Sequence, residues 1–143
     1  MRPFSRVLLA FAVVMVAAAP ALSAGYLATK PTKLEKLVIG TNESGYGLSV
    51  TEYQMETGKA YSLEIESTGR KEYAFEAPKF FNFVWLRKIE AGDMEIKASN
   101  LYELEFEEEA ECEIFFVPIK PGTYEFRVRG LEEKGMIGKF VVK

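Results

Sequence analysis

From Ala60 to Ser67 the chain alternates, with Tyr61, Leu63 and Ile65 interleaved with Ser62, Glu64 and Glu66. A period of two is the mark of a strand with one face buried and one face wet. The same rhythm recurs. Leu34–Ile39, Thr51–Met55, Tyr73–Ala77, Met94–Lys97, Leu101–Phe106, Glu111–Val117, Thr123–Arg129 and Ile137–Val142 each read as a strand. Turn signals separate them: the Gly/Asn/Ser cluster at 40–47 (GTNESGYG), Thr57-Gly58-Lys59, Thr68-Gly69, Pro118, Pro121-Gly122, and Gly130, Gly135 and Gly138. Seven or eight of these nine short segments as sandwich strands at this spacing, with no long amphipathic helix competing, predict an all-β, two-sheet sandwich.

One stretch breaks the rhythm. Phe80, Phe81, Phe83, Val84 and Trp85 follow Pro78 and form the densest aromatic run of the sequence. Core packing is the expected role, because aromatic side chains bury large areas with few rotatable bonds. The run can include a helical turn, and a ligand-binding platform is the alternative.

The N-terminus is different in kind. Arg2 and Arg6 precede an apolar run from Val7 to Leu22, and small residues stand around its end at Ala21, Ser23 and Ala24. This is the pattern of a secretory signal peptide, with cleavage expected after Ser23 or Ala24. The run falls short of the roughly 20 apolar residues of a spanning helix, so no membrane span is expected after cleavage; a retained signal anchor is the competing reading. Residues 25–143 then make one domain. A chain of this size buries on the order of 65% of its unfolded surface, so it needs no metal or disulfide merely to fold.

Charge and residue usage narrow the chemistry. Setting aside Arg2 and Arg6, 16 basic residues face 21 acidic ones, a net of −5, and nucleic acid is not an expected partner. The single Cys112 alternates with Ile114 and Phe116 on one strand face and is expected in the core. The chain contains no histidine. That excludes His-based acid–base catalysis, His–zinc sites and the His₂Cys copper site together, and no Ser/His/Asp or Cys/His constellation can be assembled. No enzymatic activity is expected.

Three stretches carry a resemblance: YAFEAPKFF (73–81), FVPIKPGTYEF (116–126) and GMIGKFVVK (135–143). Together they resemble a bacterial periplasmic cupredoxin-like domain family, in which a His-Glu-Phe-Glu-Ala-Pro strand, a Pro-Gly-Thr-Tyr-Glu-Phe-x-Cys strand and a Gly-His…Gly-Met-x-Gly loop recur in this order. The resemblance implies a Greek-key β-sandwich of the cupredoxin type. It also implies four positions equivalent to copper ligands, and this sequence departs at three: Tyr73 and Leu131 stand where histidines belong and Val128 where the cysteine belongs, leaving Met136. Aliphatic side chains donate nothing to a metal, and a lone thioether cannot hold Cu(II).

Two other features could carry chemistry. Glu103, Glu105, Glu107, Glu108, Glu109, Glu111 and Glu113 crowd into eleven residues. The expectation is that four of them line the wet side of two strands and that Glu107–Glu109 form a hairpin loop between those strands. Glu72 and Glu76 flank Tyr73, with Glu95 and Met136 as further donors, a set that could accept an iron or copper ion. No cofactor is expected. The resemblance implies an accessory protein of periplasmic iron or copper handling, with an envelope permease or oxidase component as partner. The alternative is a metal-free interaction module of the cell envelope.

Overall fold

The structure, a computed structural model, describes residues 25–143. The expected signal segment at 1–24 and its cleavage point lie outside the described residues. Eleven strands and one short helix follow in order. They are β1 (Thr32–Lys33), β2 (Leu37–Ile39), β3 (Glu52–Met55), β4 (Tyr61–Thr68), β5 (Tyr73–Glu76), α1 (Pro78–Phe81), β6 (Val84–Ala91), β7 (Met94–Ile96), β8 (Glu103–Phe106), β9 (Glu109–Pro118), β10 (Gly122–Val128) and β11 (Ile137–Val142). Among the described residues, no helix is long and apolar enough to cross a membrane.

The strands form two mixed sheets. The first runs β1-β4-β9-β6-β7, with β2 also pairing β4; the second runs β3-β11-β10-β5-β8. β1 and β2 pair β4 in parallel, and β3 pairs β11 in parallel. The other pairings are antiparallel. The count exceeds the seven or eight strands expected, for identifiable reasons. β1 is two exposed residues with no apolar pattern. β6 hides because its register against β9 shifts between Leu86 and Lys88. The inward positions are therefore Val84, Leu86 and Ile89, and the bulge breaks the period of two that marks a strand.

The inner faces meet through aromatic rings. Phe80 of α1 stacks on Phe140 of β11 with centroids 4.3 Å apart and meets the edge of Phe116 of β9 at 5.3 Å, so the helical turn wedges between both sheets. Phe126 of β10 continues the cluster against Phe140, Phe75 and Tyr53. The expected packing role of the aromatic run holds for Phe80 and Phe81, both buried, while Trp85 turns outward at 38% exposure. Cys112 lies in the core opposite Ile65, as its alternation predicts.

The acidic run does not form the expected hairpin. β8 pairs β5 in the second sheet, whereas β9 pairs β4 and β6 in the first. Glu107 and Glu108 thus carry the chain from one sheet to the other. Alternation alone cannot tell a hairpin from a crossover, because both join strands of the same pattern.

Candidate functional site

The four positions singled out by the resemblance lie where the end of β10 meets the start of β5. Val128 opposes Phe75 of β5, and the backbone N–H of Arg129 donates to the Ala74 carbonyl. The chain then closes on itself. The Val128 N–H donates to the Met136 carbonyl at 2.9 Å, the Leu131 N–H returns to the Val128 carbonyl at 3.0 Å, and a 3-10 turn at Glu132–Lys134 ends in Gly135 at φ +81°. A left-handed residue there favours glycine, which lets the chain reverse into β11.

This end of the sandwich is packed shut. Tyr73, Val128 and Met136 are buried, with Leu131 partly buried against them. The Tyr73 hydroxyl donates to the Gly45 carbonyl at 2.7 Å, tying the 40–47 loop to β5. The same loop is braced internally, since Asn42 Oδ1 accepts from the Ser44 hydroxyl and the Tyr46 N–H. Lys71 and Lys134 sit over the Tyr46 ring, 4.9 and 5.5 Å from its centroid. At Gly40, φ is +86° and an added Cβ would collide with the Tyr73 ring and hydroxyl, so the close approach of loop to ring requires glycine.

The donor set at this end is one phenol, already hydrogen-bonded, and one thioether. A blue-copper centre needs a thiolate and two imidazoles. The sequence has no imidazole, and its only thiol, Cys112, lies on β9 of the other sheet. Burial pushes that thiol's pKa up to about 12, away from the thiolate form that metals bind. The residues present do not fit the centre.

The candidate iron- or copper-accepting set of Glu72, Glu76, Glu95 and Met136 is not brought together. Met136 points into the core and Glu72 is exposed. Glu76, buried on the outer face of the second sheet, holds Arg127 at 2.9 Å. Glu95 lies on β7 of the first sheet between Lys88 and Lys97, and these two ammonium groups, Lys97 foremost, hold its pKa below the ordinary glutamate value.

Pairing of strands creates two clusters that no reading of single segments could find. On the outer face of the first sheet, Glu64, Glu66 and Glu111 gather within 4.8 Å of one another. Lys36 projects among them: its ammonium pairs with Glu64, reaches Glu66 at 2.8 Å and Glu111 at 3.7 Å, and has its pKa raised by Glu64 and then Glu66. An internal cation thus fills the place a metal ion would take. On the second sheet, Glu76 and Glu103 are direct cross-strand partners, with Arg129 Nη2 3.1 Å from Glu103. Burial, then contact with Glu76, raises the pKa of Glu103, whose Oε2 is the oxygen ion-paired with Arg129 but without hydrogen-bond geometry. The signal in each case is a same-parity glutamate on neighbouring strands, legible only once the register is known.

Comparison with known proteins bears on the fold. No family model and no curated protein matches the sequence. Among solved structures, the chain is similar to a multicopper oxidase from Campylobacter jejuni, described as a metallo-oxidase, with a TM-score of 0.56 and 12% identity over 80% of this chain. A multicopper oxidase from Pediococcus acidilactici gives 0.55 and 10% over 80%. The dithionite-reduced auracyanin of Roseiflexus castenholzii gives 0.50 and 13% over 80%. The chain spans 31% and 26% of the two oxidase chains but 99% of the auracyanin. Two mixed sheets in this arrangement, shared with oxidase domains and an auracyanin at such low identity, make this chain a β-sandwich of the cupredoxin type.

Proposed function

We propose that this chain is a copper-free, non-enzymatic cupredoxin-type module of the exported compartment, one that works by binding a protein partner and not by carrying electrons. The observation that supports this most directly is the closed end of the sandwich. At the positions the resemblance matches to copper ligands stand a phenol bonded to the Gly45 carbonyl, two aliphatic side chains and one buried thioether. Such a set stabilises the fold and lacks the thiolate and the imidazoles that a blue-copper ion requires. A fold common to many activities leaves function to its surface, and the loops at this end are held on a rigid scaffold, where binding residues commonly sit.

The reading as an iron or copper carrier has less behind it. Its donors Glu72, Glu76, Glu95 and Met136 stand apart, and the carboxylate cluster of suitable size among the described residues holds Lys36. An envelope permease or oxidase component is the partner class the resemblance suggests, and crosslinking in a periplasmic extract would return it.

Absorption spectroscopy with Cu(II) tests the reading. The native protein should stay colourless, and a variant carrying Tyr73→His, Val128→Cys and Leu131→His, with Met136 kept, should acquire an intense thiolate-to-copper band. A stoichiometric band in the native protein would overturn the proposal. A folded but colourless triple variant would show that these are not the ligand positions.

A further inference from the structure

The two sheets expose four kinds of edge, and they are not equally guarded. Beside β4, β1 offers only Thr32 and Lys33, and β2 keeps Leu37 and Ile39 buried, with Ile39 bridged to Leu48. β3 and β8 turn apolar Tyr53, Met55 and Phe106 inward and show Glu52, Gln54 and Glu105 to solvent. β7 is the exception: all three residues are exposed, with Met94 at 64% and Ile96 at 39%. Natural edge strands are normally blunted with charge, proline or a bulge, because their free backbone groups recruit another strand. Here the two apolar side chains are left open.

Their direction matters. Ile96 opposes Ile89 and Met94 opposes Ala91, so both lie on the core-facing side of the sheet, beyond the point where the second sheet covers it. Glu95 and Lys97 take the opposite, outer face, where they pair with each other. A neighbour at this edge must therefore offer apolar side chains on one face and complementary charge on the other. The segment 94–98 (Met-Glu-Ile-Lys-Ala) satisfies both conditions for a copy of itself.

Symmetry limits the choices. Side chains alternate, so an antiparallel pairing that keeps each face continuous must place the two-fold axis at a residue. An axis at Met94 sets Asp93 opposite Glu95; one at Glu95 sets that residue against itself; one at Lys97 does the same for lysine. Each brings like charges together, which is unfavourable for directly opposed residues. An axis at Ile96 places Ile96 on Ile96, Met94 on Ala98, and Glu95 opposite Lys97 twice over.

We infer that β7 is the contact through which two copies of this chain pair, antiparallel and strand to strand, about a two-fold axis at Ile96. The interface is isologous and closed, so it stops at two copies and does not propagate. The contact is short, and the association is concentration-dependent. It goes beyond the proposed binding role and does not depend on it.

Sedimentation velocity on the protein as recovered from expressing cells, over a concentration series, tests this together with two charge variants. The native protein should dimerise reversibly. Glu95→Lys alone and Lys97→Glu alone each place like charges in both contacts and should weaken self-association by at least about tenfold. Mixing the two variants restores opposite charges across the axis and should recover a heterodimer, an outcome that a mere loss of folding could not produce. Circular dichroism confirms that each variant keeps the native fold. A native protein monomeric up to about 1 mM, a dimer indifferent to either substitution, or a mixture that stays monomeric would each overturn the inference.

Discussion

Glu76 and Glu103 face each other across β5 and β8, two carboxyl groups in direct register with Arg127 and Arg129 on their flank. The partition is unequal. Glu76 is buried and holds Arg127 through two hydrogen bonds to one oxygen, at 2.9 and 3.2 Å, while Glu103 meets Arg129 only as an ion pair, without hydrogen-bond geometry, and has its pKa raised.

A carboxyl whose pKa is higher in the folded than in the unfolded chain holds its proton more tightly when folded. Its stabilising contribution is therefore present at acid pH and withdrawn as pH climbs from the ordinary glutamate range through the raised folded value. Glu103→Gln should remove that decline, so urea midpoints of variant and native protein should diverge in the variant's favour towards neutral pH. Parallel curves would show that Glu103 is not strained. Glu76→Gln should act oppositely and cost about 1–3 kcal/mol at neutral pH by taking the charged partner from Arg127.

Tyr73→Phe removes one oxygen and leaves the buried Gly45 carbonyl without its donor. The expected loss is about 1–2 kcal/mol, read from denaturant unfolding, with faster amide exchange confined to the 40–47 loop. An unchanged midpoint would mean that water replaces the hydroxyl and that the end of the sandwich is not closed.

Cys112 should resist alkylation in the native protein. Burial disfavours the thiolate and pushes its pKa up to about 12, and the thiolate is the reactive species. Iodoacetamide at neutral pH should label it only in denaturant; rapid native labelling would place the thiol at an accessible site.

Lys36→Met should expose the mutual repulsion of Glu64, Glu66 and Glu111. The melting temperature should fall at low ionic strength and the difference from native should shrink as salt is added. Mn(II) should raise the variant's melting temperature more than the native protein's, because a ligand that binds the folded state stabilises it by mass action. Equal responses would mean that Lys36 does not occupy the cluster.

The strands that alternate cleanly were legible from the sequence. Tyr61, Leu63 and Ile65 do face inward on β4, and Tyr124 and Phe126 do so on β10. β6 was not, because its bulge between Leu86 and Lys88 adds a residue and inverts the alternation partway. Pairing was beyond reach for a different reason: alternation fixes which side chains share a face of one strand, yet says nothing about which strand lies alongside. Hence the resemblance could single out Tyr73, Val128, Leu131 and Met136, whereas the contact of Glu76 with Arg127, 51 residues away, and that of Lys36 with Glu64 and Glu66 depend on long-range register.

The bracing of the 40–47 loop sets the terms on which anything can meet this end of the molecule. Anchored from beneath by Tyr73, folded around Asn42 and flanked by Lys71 and Lys134, the loop has its shape before any encounter. A visitor would find a preorganised surface, and little conformational entropy would be lost on docking. Recognition there would behave like a lock and key, with discrimination set by fit and not by rearrangement.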